Sequence, residues 1–163
     1  LDAIKKTKEV AREKGIKIAL TFSDPAMVKY FKPGLELALD GGIDLLFCNE
    51  EEACLWAGTD DVDAAKQALL KHTELLVVTR GDKGASIVSK EEVIKIAPHK
   101  VEAIDTNGAG DMFAGAFLYG ITQGYSYQVA GDLASLASAK VVTSFGPRLE
   151  KSQQSDILKQ IIQ

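Results

Sequence analysis

Asp105, Thr106 and Asn107 run into Gly108-Ala109-Gly110 and then Asp111, and the apolar small-residue stretch MFAGAFLYG follows. Glycine at 108 and 110 lets a ligand approach the backbone where no Cβ intervenes. The first turn of a helix leaves N–H groups unpaired at the positive end of its dipole. Residues in this order suit an anion, most often a phosphate. Asp111 adds a carboxylate in that first turn, beside the anion site. The plain alternative is structural: Asp is common at helix starts, and a Gly-Ala-Gly run also serves ordinary turns.

Three other stretches carry candidate chemistry. Asn49 and Glu52 follow the apolar run IDLLFC, and their spacing is also that of a helix capping box. Thr79-Arg80-Gly81 follows ELLVVT, where GDKG reads equally as a hairpin turn. SFGPRL, from Ser144 to Leu149, is on its own a helix stop at Gly146-Pro147. His72 and His99 lie in no motif and read as surface or structural residues.

The chain opens with an amphipathic helix. It carries Ile4, Val10 and Ala11 on one side and stops at Gly15. Lys17–Phe22, Ile43–Cys48 and Glu74–Arg80 read as strands, with intervening helices. Pro25 is suited to a first helical position, and Pro33-Gly34 is read as an interruption before a short helix through Leu39. Asp60 or Asp61 starts a helix through Leu70. ASIVS and VIKIAP, joined by tight turns, predict an antiparallel extension of a sheet that is βαβ until then. Helices follow over Ala109 to about Gln123 and Ser126–Thr143. A final amphipathic helix carries Ile157, Leu158, Ile161 and Ile162. The expectation is one α/β domain with helices on both faces of a mostly parallel sheet. Ligands of such sheets gather at the carboxyl ends of the strands, where these stretches fall.

DTNGAGDMFAGAF resembles the C-terminal signature of the PfkB/ribokinase family of carbohydrate and nucleoside kinases nearly residue for residue. The resemblance covers the whole chain and implies a ribokinase-like three-layer α/β/α fold. It implies that Gly108, Ala109 and Gly110 form the anion hole around the transferred γ-phosphate, and that Asp111 is the catalytic base. Asn49 and Glu52 match the family's Asn-x-x-Glu motif, which organises Mg²⁺ and the phosphates largely through water, as suits an ion that holds its waters tightly. Thr79 and Gly81 match the Thr-x-Gly that lies against the ATP phosphates, and Arg80 stands at its variable position. Asp105 and Asn107 belong to a loop that holds a monovalent cation such as K⁺. Gly146 lies in a stretch that borders that site and the adenine pocket. The form Phe-Gly-Pro-Arg-Leu looks most like bacterial adenosine kinase-like members.

The implied activity is transfer of the γ-phosphate of ATP, with Mg²⁺, to a hydroxyl of an adenosine-like nucleoside. A sugar acceptor, of ribose or fructose type, stands second. The resemblance is to the second half of such a kinase. The expectation is therefore a C-terminal portion of a single ribokinase-like domain, spanning 1–163, with the N-terminal half and its β-sheet lid absent. Such a chain alone would be inactive until it met the other half, or would pair with itself through an apolar sheet edge. An inactive nucleotide-binding fragment is the alternative. A dinucleotide-binding oxidoreductase fits less well, because no G-x-G-x-x-G follows an early strand, and no Walker G-x-x-x-x-G-K-[ST] is present.

Composition bounds these readings. The 163 residues are 46% hydrophobic and 26% charged, which suits one globular domain with a sizeable core. A net charge of −4 gives no reason to expect a nucleic-acid or membrane-surface partner. No apolar run approaches the roughly 18 residues of a membrane span, and no secretory leader is read at the start. Cys48 and Cys54 form no CxxC, and a reduced, cytoplasmic setting is expected.

Overall fold

The computed structural model describes residues 2–161; Ile162, placed above on the last helix, lies outside them. In chain order the elements are α1 (Asp2–Glu13), β1 (Ala19–Thr21), α2 (Pro25–Tyr30), α3 (Lys32–Leu39), β2 (Ile43–Asn49), α4 (Glu50–Ala57), α5 (Val62–Leu69) and β3 (Thr73–Thr79). A 3₁₀ turn over Gly81–Lys83 leads to β4 (Ala85–Val88) and β5 (Val93–Ile96), then α6 (Ala109–Thr122), α7 (Tyr127–Val141) and α8 (Lys151–Ile161). The strands form one sheet in the order β1-β2-β3-β4-β5. β1 and β2 are parallel with Ala19 opposite Leu45, and β2 and β3 are parallel with Leu45 opposite Leu75. The links from β3 to β4 and from β4 to β5 are far shorter than the dozen residues a parallel crossover needs, so these neighbours run antiparallel. The expected mostly parallel sheet with an antiparallel extension is therefore present.

The chain divides into two compact units, one of the residues up to Thr79 with Val88–Val93, the other of Arg80–Ile87 with the residues from Ile94 onward. In the first, β2 and β3 bury Leu45–Cys48 and Leu75–Val78 as unbroken apolar runs, the pattern of strands covered on both faces. Leu46 and Leu76 are fully buried in a core with Phe22, Leu39, Trp56 and Leu69. Each such side chain contributes roughly 1.5–3 kcal/mol by leaving water. In the second, α7 buries Leu133, Ala137 and Val141 against Leu149 and Ile157.

Three local expectations need correction. On α1, Ile4 is exposed and Lys8 is buried, its Nζ donating to Ala38 O at 2.5 Å and Asp40 O at 2.7 Å. The ammonium satisfies carbonyls at the end of α3 that no helical N–H can reach. The first strand shortens to three residues, because Ile18 N donates to the Asp44 carboxylate at 2.7 Å instead of to a ladder carbonyl. Pro33-Gly34 lies inside the first turn of α3 rather than before it, a position where the missing proline N–H costs nothing. Among the described residues, no helix is long and apolar enough to cross a membrane.

Candidate active site

The second unit holds the glycine loop. Asp105 organises it: Oδ1 accepts from Asn107 N at 3.0 Å and Oδ2 from Gly146 N at 3.1 Å. These two N–H bonds, first that of Asn107, lower the pKa of the carboxyl below its ordinary value. The loop before α6 is thereby tied to the Ser144–Leu149 stretch, with Gly146 in the left-handed region at φ 94°. Both Asp105 oxygens are engaged with backbone, so its place is to shape the loop.

Gly108 is the residue before α6, at φ 78°. A Cβ there would stand 2.3 Å from Pro147 Cβ, so this glycine is required by the fold itself. At Gly110 the added carbon would meet nothing within 4 Å, which leaves its backbone open to approach. Gly108 N and Gly110 N have no partner among the described residues, whereas Ala109 N donates to Thr106 O at 3.3 Å. Two of the three expected anion-hole donors are thus free, and the third is held in a long turn bond. Asp111 follows, exposed in the first turn of α6. Ser138 Oγ donates to Ala109 O at 3.0 Å and pins this turn to α7.

A cavity of about 400 Å³ opens beside Asp111, walled by apolar residues of α6, α7, α8 and the Pro147–Leu149 stretch. Gly81, at φ 58°, starts the 3₁₀ turn in this unit and is exposed. His99 is exposed as expected.

The first unit holds Asn49, Glu52 and Thr79 at the carboxyl ends of β2 and β3. The capping box is complete: Glu52 N donates to Asn49 Oδ1 at 2.8 Å and Asn49 N to Glu52 Oε2 at 2.9 Å. Glu52 is only 3% exposed. Burial raises its pKa, the Asn49 N–H opposes the rise, and the negative charges of Asp24 and Glu51 add to it. Thr79 is half-buried, its Oγ1 3.5 Å from Cys48 O. His72 packs edge-on to Trp56, a structural place.

Sequence reasoning missed Ser138, Pro147 and Asp24. Ser138 sits in the run ASLASA with nothing to mark it, and Pro147 read only as a stop. Asp24 caps α2, accepting from Met27 N at 3.1 Å; that its charge also bears on Glu52 is a fold-level fact.

Residues 1–154 match the description "pfkB family carbohydrate kinase". The chain belongs to the pfkB family. Among pfkB relatives, a probable sugar kinase protein from Rhizobium etli CFN 42 superposes with a TM-score of 0.88 at 34% identity, covering 97% of this chain and 48% of that one. Adenosine kinase from Sinorhizobium meliloti superposes with a TM-score of 0.89 at 32% identity, covering 98% of this chain and 49% of that one. Adenosine kinase from Saccharomyces cerevisiae is 29% identical over 159 residues, 90% of this chain and 46% of that protein. The chain spans about half the length of these pfkB proteins. Their likeness carries the fold, ribokinase-like with a mostly parallel sheet, onto this chain.

Proposed function

We propose that this chain supplies the phosphate-holding and catalytic-base half of an ATP-dependent kinase that phosphorylates a hydroxyl of a nucleoside or, second, of a sugar. The observation that carries the reading is the loop of free Gly108 and Gly110 N–H groups followed by the exposed carboxylate of Asp111. Phosphoryl transfer has a loose transition state, so a protein chiefly positions groups and stabilises charge on the phosphoryl oxygens. Gly108 and Gly110 N–H groups donate to that charge, joined by Ala109 N when its long turn bond opens. Asp111 accepts the proton of the attacking hydroxyl. Thr79 and Gly81 bear on the phosphates of ATP, and Gly146 keeps the loop in register through Asp105.

Among the described residues, no three His, Cys, Asp or Glu side chains cluster to hold a metal ion. Mg²⁺ would be carried with the phosphates and met through water by Glu52 and Asn49, where it would supply charge neutralisation. Backbone carbonyls of the Asp105–Asn107 loop would hold a monovalent cation such as K⁺. Cys48 and Cys54 are free thiols, in keeping with a reduced, cytoplasmic setting.

A second reading, a nucleotide-binding piece without chemistry, is favoured by the half-length span against the relatives. Both readings agree that the isolated chain binds nucleotide and transfers nothing. They part in the full-length protein. There, Asp111→Asn should lower phosphoryl transfer from ATP by about 10²–10⁴-fold, the usual worth of a general base, with ATP affinity kept. Transfer at the wild-type rate would refute the assignment of Asp111.

A further inference from the structure

Serine and threonine hydroxyls on or beside helices commonly turn back to a carbonyl of the preceding turn. Thr7, Thr122 and Thr143 do so, donating to Ala3 O, Leu118 O and Lys140 O at 2.8 Å each. Ser138 does not. Its Oγ crosses from α7 to α6 and donates to Ala109 O, 29 positions earlier, at 3.0 Å. The two helices pack closely enough for this reach, with no room for a Cβ between Gly120 and Ala130. No unpaired carbonyl calls for the bond. Met112 N donates to Gly108 O at 2.8 Å, so the ladder of α6 has already begun and Ala109 O is its next acceptor. That oxygen has a second lone pair to offer but no need of a second donor.

What the bond does follows from the peptide plane. Ala109 C=O and Gly110 N–H belong to one planar trans unit and point in opposite directions. Fixing the oxygen therefore aims the hydrogen. Gly110 N has no partner among the described residues, and a Cβ at Gly110 would meet nothing within 4 Å. Glycine on both sides of Ala109 leaves this turn free in its backbone, and helix ends fray. A donor to the carbonyl holds the plane, and it also polarises the amide and strengthens its N–H. We propose that Ser138 is a positioning residue for phosphoryl transfer. Its hydroxyl holds the Ala109–Gly110 peptide so that Gly110 N–H meets the charge developing on the phosphoryl oxygens. Donors of that kind act by being fixed before the reaction begins. The inference rests on the loop being the phosphate site, as proposed above. Gly108 N–H belongs to the peptide of Asn107, which lies outside this bond, and serves as an internal control.

The test compares the parent ¹⁵N-labelled chain with Ser138→Ala as ATP and Mg²⁺ are added. In the parent both glycine amides should move downfield. In Ser138→Ala the Gly110 displacement should shrink to about half or less, as the plane loses its fixed direction, while that of Gly108 is kept. In the full-length protein the same variant should lower kcat and kcat/KM together by about three- to tenfold, the worth of one neutral hydrogen bond, with KM for ATP unchanged. Should Ser138→Ala unfold, Ser138→Cys, close to serine in size but a weak donor, reads the same difference. Equal Gly110 displacements in parent and variant, or a lowered Tm with kcat intact, would overturn the proposal and leave the phosphate site standing. So would an equal loss at Gly108 and Gly110, the mark of a loop that has merely loosened. A parent chain in which neither glycine responds to ATP would overturn both this proposal and the phosphate site.

Discussion

At the scale of single residues, the pair Asn49 and Glu52 separates fold from function. The capping box satisfies one N–H at each position, and an N-cap to alanine costs about 1 kcal/mol. Glu52 also carries a cost, because a buried carboxylate beside Asp24 and Glu51 resists ionisation. Its pKa is raised in the folded chain, so the native state holds that proton more tightly than the unfolded one. Stability from this group is therefore greatest at low pH and falls as pH rises from the ordinary carboxylate range through the raised value. Glu52→Gln keeps an acceptor for Asn49 N, since glutamine also serves capping boxes, and removes the charge. Thermal unfolding of Glu52→Gln at neutral pH should show a Tm equal to or above that of the parent, with the pH-dependent fall in that window gone. Asn49→Ala should lower Tm by several degrees. A similar drop for Glu52→Gln would mean that the carboxylate is held by favourable charge contacts, contrary to its surroundings.

At the scale of elements, α6 and α7 show where the sequence is legible and where it is not. Their existence and limits follow from small-residue apolar runs bounded by Gly108, Ser126 and Gly146-Pro147. How closely they approach does not. A Cβ on Gly120 would stand 2.7 Å from Ala130 Cβ and 2.9 Å from Ala130 Cα, whereas one on Gly115 would meet nothing within 4 Å. The two glycines look alike in the run MFAGAFLYG. Gly120→Ala should force the helices apart and destabilise by about 1–3 kcal/mol. Gly115→Ala should be neutral or stabilise by up to about 1 kcal/mol through helix propensity. Denaturant midpoints that rank the two variants in the reverse order would contradict the packing. The same limit explains Gly108, which reads in sequence as a place for ligand approach but is fixed by Pro147, a residue 39 positions later. Lys8 on α1 is another case, since only the fold reveals the α3 carbonyls that draw a lysine inward.

At the scale of the whole molecule, the family and a mostly parallel sheet with an antiparallel extension were readable because they rest on local runs and glycine placement. The residues that would grip an acceptor's hydroxyls were not, and the proposal is that they belong to the other half of a single ribokinase-like domain of which this chain is the C-terminal portion. The relatives, about half covered by this chain, support that reading. Titration of the ¹⁵N-labelled chain with ATP and Mg²⁺ tests most directly whether the loop from Asp105 to Asp111 holds phosphate. The amides of Gly108 and Gly110, which have no partner among the described residues, should show the largest downfield shifts, with Ala109 following as its bond to Thr106 opens. An unchanged loop, with shifts confined to other parts of the chain, would contradict its assignment as the phosphate site.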